Sequence, residues 1–380
     1  MSRRSTADIA GSLEEARAPL GRARHIPGHI YTSPEVLELE KDRIFLRDWL
    51  CVGRVEELAR PGDFITARIA GEPIIVARDG EGTISAFSNI CRHRGVEVAS
   101  GTGNTAEFSC PYHGWVYDLK GQLVGAPFIR GVENFDKSKC RLKPLKSEIW
   151  GGFIFVNFDP DATDLSEHLK SFAQETKDLR AEDCRLFEKI VVRLDCNWKL
   201  APENLADWYH VEVLHRGSLG SYTPTEKVRF EQFDRGSYAV RYSSGSFAPE
   251  GKSLFGPMPW LKSRGESFAF SFYLRPNLSF FARTDGLAAF TAWPAGPDAC
   301  DLCLYLLFPS EWFEQADFAS RAKVYSDWFK GFLQEDVDIV ASLQRGLKSR
   351  RFEPGPMVAL EEPIHHMLND YLDRVFGQSA

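Results

Sequence analysis

The chain has no basic excess. Its 380 residues carry 46 Lys and Arg against 53 Asp and Glu, a formal charge of −7. A surface that neutralises phosphates needs the opposite balance, so nucleic acid is not an expected partner. Cysteine is scarce as well, with eight in the whole chain, too few for a disulfide scaffold. Long apolar runs are missing. The best of them, WGGFIFVNF at 150–158, is strand-sized and far short of the roughly 18 residues a membrane span needs. No membrane partner is expected. The opening MSRRSTADIA is positively charged, but no apolar core follows it, so it does not read as a secretory signal. No internal repeat is visible. These absences point to a cytoplasmic, reducing setting. There, cysteines that keep company with histidines suggest a metal before a disulfide.

What the chain does have is apolar and aromatic mass. Hydrophobic residues make up 43% and aromatics 13%, which excludes disorder over most of the length and allows a large core or an apolar pocket. At roughly 150 residues per domain, two or three domains are expected. Ser33 followed by Pro34 reads as a helix start, with Val36, Leu37, Leu39 and Ile44 at helical spacing toward Trp49. Beyond Trp49 the period shortens. Residues 63–70 and 73–80 read as strands, and Asp79-Gly80 with Gly82 as a hairpin. This β character runs to about Asp159-Pro160. Leu165, Leu169 and Phe172 then mark a helical stretch. Residues 190–200 return to strand, 203–216 look helical, and 225–308 alternate like a broad antiparallel sheet. Helices over about 313–345 and 362–376 close the chain. The pattern is a small β domain followed by a larger α+β domain.

Two clusters carry metal chemistry. Cys91-Arg-His93 and Cys110-Pro-Tyr-His113 are separated by residues 94–109. Two thiolates and two imidazoles can hold Zn²⁺ or a [2Fe–2S] cluster in which histidines serve one iron. A zinc finger would place both histidines together on a helix. Here each Cys has its own His on a loop, which suits two tips clamping a cluster. Gly95, Gly101, Gly103 and Gly114 let backbone amides approach bridging sulfides.

The second cluster is Asn197-Trp-Lys-Leu-Ala-Pro-Glu-Asn204-Leu-Ala-Asp207-Trp-Tyr-His210-Val-Glu-Val-Leu-His215. On a regular helix, histidines five apart are rotated by about 140°. They meet one ion only if the helix ends or distorts between them. Gly217 and Gly220 suit an end near His215. A third ligand should be a carboxylate, completing a facial triad for non-haem Fe(II). Gln334-Glu335-Asp336-Val-Asp338 offers candidates, and the residues alone do not choose. Asp207 precedes His210 by three, on the same helical face if the helix is regular. Taken alone it is a surface carboxylate.

CRHRG at 91–95 and CPYHGW at 110–115, with the second cluster, resemble Rieske non-haem iron oxygenases of the ring-hydroxylating family, large (α) subunit. Early residues Glu40-Lys-Asp-Arg-Ile-Phe, Trp49 and Pro61-Gly-Asp-Phe, and late ones from Gly346 to His366, carry the resemblance along most of the chain. It implies an α+β fold: a small all-β Rieske domain (41–165) and a larger catalytic domain (166–380, with 1–40 as its N-terminal helical part). The catalytic domain would be a broad antiparallel sheet with covering helices, helix-grip and START-like. It implies a [2Fe–2S] cluster on Cys91, His93, Cys110 and His113. Mononuclear Fe(II) would sit on His210, His215 and Asp336, with Asp338 as runner-up. Asp207 would bridge His210 to a cluster histidine of the next subunit, His113 before His93. Such a bridge implies a ring of subunits, a homotrimer with a small β subunit as an option. Electrons would come from NAD(P)H through a separate reductase, with a ferredoxin as an option. The reaction would hydroxylate or cis-dihydroxylate an aromatic or other apolar substrate with O₂. Oxygenation or demethylation of a quaternary amine is the alternative. A Rieske electron carrier and a zinc-stabilised binding module are more remote.

Other eye-catching residues read as structural. Cys300-Asp-Leu-Cys303 has redox spacing but no His or second Cys pair nearby, and buried free cysteine behaves as a small hydrophobe. Cys51, Cys140, Cys184 and Cys196 read the same way. His365-His366 lacks metal spacing, and most of the Phe-rich 268–281 is sheet core.

Overall fold

The computed structural model describes residues 13–377; the opening segment considered as a leader lies outside them. Two compact units emerge, one of Phe45–His168 and one built from the chain before and after it.

The first unit is β throughout its centre. Its strands are β1 (Leu50–Arg54), β2 (Asp63–Ile69), β3 (Glu72–Arg78), β4 (Ile84–Ser88), β5 (Thr102–Asn104), β6 (Phe108–Ser109), β7 (Val116–Tyr117), β8 (Leu123–Gly125), β9 (Pro144–Trp150) and β10 (Phe153–Asn157). They form an antiparallel sheet in the order β1-β10-β9-β4-β3-β2-β5 and a small sheet β6-β7-β8. The β3–β4 hairpin turns at Asp79 as its composition predicts. Asp79 Oδ1 accepts the N–H groups of Glu81 and Thr83, each at 2.9 Å, and Gly82 takes φ +87°. The core gathers Ile75, Phe87, Phe108, Trp115, Tyr117 and Leu142 around Cys91 and Cys110. Phe108 meets Phe64 edge to face at 5.3 Å.

In the second unit two single-turn helices, Glu14–Arg17 and His29–Thr32, precede α1 (Pro34–Glu40). Ser33 Oγ accepts Val36 N–H at 3.3 Å, the expected cap. The helix stops short of Trp49, widening into a π turn over Lys41–Phe45. The sheet is antiparallel in the order β11-β17-β16-β15-β14-β13-β12. Its strands are β11 (Cys184–Leu194), β12 (Arg229–Gln232), β13 (Tyr238–Ser243), β14 (Phe268–Leu274), β15 (Leu278–Arg283), β16 (Gly286–Gly296) and β17 (Ala299–Pro309). β11 comes earlier than the expected 190–200. Asn197 Oδ1 accepts Lys199 N–H at 3.1 Å, which turns the chain out of extension.

The helical stretch expected around Leu169 and Phe172 is Lys170–Thr176, and α2 (Leu200–Ala206), α3 (Val211–Leu214), α4 (Phe318–Leu347) and α5 (Glu362–Phe376) follow it in the chain. α4 buries Phe318, Ala322, Tyr325, Phe329, Phe332 and Val340, a helical stripe. Phe329 meets Phe290 of β16 at 6.0 Å and Tyr325 meets Phe308 of β17 at 5.1 Å. This is the long helix gripped by a sheet that the resemblance implies. Deeper in, Lys199 Nζ and Glu40 Oε1 form a buried ion pair at 2.6 Å. Trp198 Nε1 and Tyr371 OH also donate to Glu40, at 2.7 and 2.6 Å. A buried pair with its remaining lone pairs satisfied is tolerable, and this one ties α1 to α2 and α5. Among the described residues no helix is long and apolar enough to cross a membrane.

Two candidate metal centres

The cluster motifs fold into twin loops. Cys91 N–H donates to Val96 O at 2.8 Å and Gly95 N–H back to Cys91 O at 2.9 Å. Cys110 N–H donates to Trp115 O at 2.7 Å and Gly114 N–H to Cys110 O at 3.0 Å. Each tip closes on a glycine at positive φ, +81° at Gly95 and +68° at Gly114, which a Cβ would strain. The tips place both thiols inside and both imidazoles at the rim: Cys91 and Cys110 are buried, His93 and His113 exposed. The two Nδ1 atoms face each other at 3.1 Å. Trp115 stacks on His93 at 5.1 Å. Burial pushes the Cys110 thiol pKa up, and the adjacent Cys91 sulfur adds to the shift. Burial, His93 and Arg94 hold the His113 imidazole below its usual value, neutral and free to ligate. Two sulfurs within and two Nδ1 atoms converging at one point fit a cluster whose outer iron takes both histidines.

The second centre depends on a break in the chain. The sequence suggested one helix over 203–216, with Asp207 and His210 on one face. Instead α2 ends at Ala206, and Asp207 is extended (φ −81°, ψ 107°). Its Oδ1 accepts Tyr209 N–H at 2.7 Å, a side-chain turn that competes with the helix. His210 and His215 then flank the single turn α3, one at each end. The histidines can converge because each stands at a helix terminus, not inside a regular helix.

Asp336 comes in from α4. His210 Nε2 and His215 Nε2 are 3.3 Å apart, and Asp336 Oδ1 is 3.5 and 3.1 Å from them. Among the described residues this trio is the one group of three or more such donors whose ligand atoms all lie within 4.8 Å of one another. Atoms about 2.1 Å from a shared ion stand roughly 3.0–3.5 Å apart, so the triangle fits one metal. Asp338 is exposed and accepts from Gln334 Nε2 at 2.8 Å. Two residues along a helix is a rotation of about 200°, which turns it away from the histidines.

The protonation balance agrees with a cation site. Burial pulls the His210 imidazole down, but the Asp207 and Asp336 carboxylates outweigh it and raise its pKa to about 9. His215 is raised against burial by Asp336 and Glu335. Burial would lift Asp336, yet the two histidines hold it below the usual carboxylate range. Positive charge is wanted here whether protons or a metal supply it.

Three supporting residues escaped the sequence reading. Glu335 was considered only as a ligand, but its Oε2 sits 2.6 Å from His215 Nδ1. Ser218 Oγ donates to the same oxygen at 2.9 Å, and Asn204 Nδ2 to Asp336 Oδ1 at 3.3 Å. Such partners fix ring tautomer and ligand orientation. Only their contacts reveal them, since polar residues near a motif are common. Asp207 faces His210: Oδ2 lies 3.3 Å from Nδ1, though Nδ1 lacks hydrogen-bond geometry to any partner among the described residues.

Beside the triad opens a cavity lined by Trp208, Tyr242, Phe247, Phe281, Phe290 and Phe332. Its cavity volume is about 60 Å³, and aromatic side chains make up most of its apolar lining. The cysteines and histidines read as structural stay so. Cys300 and Cys303 lie in β17, and His365 and His366 meet backbone carbonyls of Ala18 and Phe233 at 2.8 and 2.9 Å.

Paired thiols and imidazoles on twin β loops, with a two-histidine-one-carboxylate triad above an apolar cavity, define a Rieske-type iron oxygenase. Residues 48–136 match the Rieske [2Fe-2S] domain. The chain belongs to the ring-hydroxylating α-subunit family, whose catalytic domain matches residues 154–377. A carnitine monooxygenase oxygenase subunit of Acinetobacter pittii is 30% identical over 345 residues, 86% of each chain. Choline monooxygenase of Arabidopsis thaliana, a chloroplastic protein, is 31% identical over 95% of this chain and 86% of its own. The quaternary ammonium Rieske monooxygenase CntA with L-carnitine superposes with TM-score 0.78 at 27% identity, covering 95% of this chain and 98% of that one. Naphthalene 1,2-dioxygenase from Rhodococcus sp. superposes at 0.82 with 21% identity over both full lengths, a likeness of fold. The chain is an oxidoreductase whose cofactors are a Rieske cluster and a mononuclear iron, and its family works with reductase partners in multimeric assemblies.

Proposed function

We propose that this chain is the terminal oxygenase of a multicomponent system. It would hydroxylate or cis-dihydroxylate an aromatic or other apolar substrate, with electrons from NAD(P)H passed through a reductase. The observation that carries the reading is the triangle of His210, His215 and Asp336 opening onto an aromatic cavity. On this reading Cys91, His93, Cys110 and His113 hold the cluster, and the triangle holds iron with positions left open. The bound iron supplies reductive activation of O₂. The chain's own residues do the rest. Glu335 keeps the His215 proton on Nδ1, leaving Nε2 to ligate. Phe247, Phe281 and Phe332 exclude water from the substrate's side. Asp207 links His210 to the incoming electron path.

A homotrimer supports that link. Asp207 also borders an open hollow with Tyr209, Val213, Ile339 and Leu343. Tyr209 and Val213 are 59% and 78% exposed, apolar surface of the kind a neighbouring subunit covers. The partner's cluster loop, His113 first, is the proposed occupant. A ferredoxin, a small β subunit and a cytoplasmic setting belong to the same proposal. A second reading, oxygenation of a quaternary amine, has the names of the sequence relatives in its favour.

The test is metal content and oxygen uptake. Protein purified without air should hold about two cluster irons and one mononuclear iron per chain. It should consume O₂ when given electrons and substrate. A colourless, zinc-loaded protein would overturn the reading.

A further inference from the structure

One cavity residue is neither a metal ligand nor a ring. Arg283 ends β15 and pairs with Gly286 across the two-residue turn Thr284-Asp285. It lies two residues from Phe281, so both side chains leave the same face of the strand, and both line the cavity with His210, His215 and Asp336. Arg283 is only 1% exposed. A guanidinium carries five N–H donors. Here both side-chain hydrogen bonds leave from Nη1, to Tyr242 OH and to Ala282 O. Nε finds no partner among the described residues.

The obvious counter-charge, Asp285, acts on Arg283 only at a distance, with no ion pair between them among the described residues. Asp285, two residues on, accepts from Ser246 Oγ at 2.7 Å through Oδ2, and its buried Oδ1 has no partner. Burial pushes its pKa up, while Ser246 and Arg283 pull it down. A buried cation with an unpaired donor, opening on a ligand cavity, is an incomplete pair.

The same residue changes what the rings can do. The Arg283 Cζ lies 4.0 Å from the Phe247 ring centre and 4.8 Å from that of Tyr242. A quaternary ammonium is held by aromatic faces of this kind. In this chain those faces are already covered by its own cation. A substrate with only a positive charge would meet a like charge there, whereas an anion would meet an opposite charge with one donor still unpaired.

We infer that Arg283 anchors a substrate carboxylate, so that the compound oxygenated is an organic acid and not a bare quaternary amine. The inference rests on the cavity being the oxygenase's substrate site. Two sources share the chemistry: an aromatic or apolar acid, and the acid end of a betaine.

The experiment is calorimetric titration of the anaerobic, iron-loaded protein with benzoate and benzamide, γ-butyrobetaine and its carboxamide, and choline. At least one carboxylate should bind, and benzoate or γ-butyrobetaine should exceed its amide by about tenfold or more. The tighter of the two names the source. Choline should be the weakest. Arg283→Gln should erase the acid–amide difference and Arg283→Lys should keep part of it. The ligand series on the unaltered protein needs neither variant to fold. Equal affinity for acid and amide, as expected if water merely bridges Arg283 and Asp285, would overturn the anchor. So would choline binding more tightly than both acids, or neither acid binding. Oxygen uptake separates the two levels. Acid binding without O₂ consumption under reducing supply keeps the anchor and sinks the oxygenase reading. Uptake driven by choline alone does the reverse.

Discussion

Glu335 Oε2 stands 2.6 Å from Nδ1 of His215, the ring nitrogen turned away from Asp336. The contact sets which nitrogen keeps the proton and how the ring is aimed. Glu335→Ala should lower iron affinity about 10–100-fold, the usual cost of losing such a partner. Glu335→Gln, which can still accept from Nδ1, should lose less. Competition titration of the mononuclear site measures this. The cluster absorption should not change, and Asp338→Asn should behave like the unaltered chain.

Asp207→Asn separates structure from coupling. The amide oxygen can still accept Tyr209 N–H, so the turn that breaks the helix should persist. The charge beside His210 Nδ1 is lost. Both metal contents should match the unaltered protein while coupled turnover collapses. Metal analysis alongside single-turnover product formation checks it, and full activity would remove the bridge.

Tyr117 OH lies 3.3 Å from Cys91 Sγ and accepts Arg92 N–H at 2.9 Å. Its own hydrogen is therefore free to point at the sulfur. A donor to a ligand sulfur favours the reduced, more negative cluster. Tyr117→Phe should keep the cluster and lower its reduction potential, read by redox titration. An unchanged potential would show that the hydroxyl hydrogen points elsewhere.

Glu203 gives a pH signature. Burial raises its pKa to about 7, above its ordinary 4.5, although Tyr31 OH donates to it at 2.8 Å. For a raised acid the stabilising preference for the proton is full below about 4.5 and is lost as pH climbs through 7. Glu203→Gln keeps an acceptor for Tyr31 and does not titrate. The thermal midpoint of the variant relative to the parent should rise from pH 5 to pH 7.5 and then level. A flat difference across that range would contradict the burial.

Much of this is legible in the sequence itself. Ser33-Pro34 announced α1 because a cap and a preset φ are local chemistry. The alternation in Phe268–Leu274 and Cys303–Phe308 announced strands because a sheet has period two. The Cys-His pairs are compact signals, readable at fixed spacing. That Asp336 faces the histidines and Asp338 faces away follows from helix rotation relative to a distant partner, which needs α4 and α3 placed together. The break at Asp207 was missed because 203–216 has good helical propensity, and one side-chain oxygen on Tyr209 N–H overrides it. Arg283 was missed for a related reason. A lone arginine at a strand end looks like an edge charge until the face it shares with Phe281 is found to be interior.

That four-residue gap between Ala206 and Val211 puts stability and activity in opposition. A substitution that extended α2 through Trp208 and Tyr209 would add backbone hydrogen bonds and firm up the fold. It would also swing the His210–His215 turn as a unit out of its place beside α4, so that the histidines and Asp336 no longer share an ion. Thermostabilising changes selected in this stretch should therefore arrive with an empty iron site.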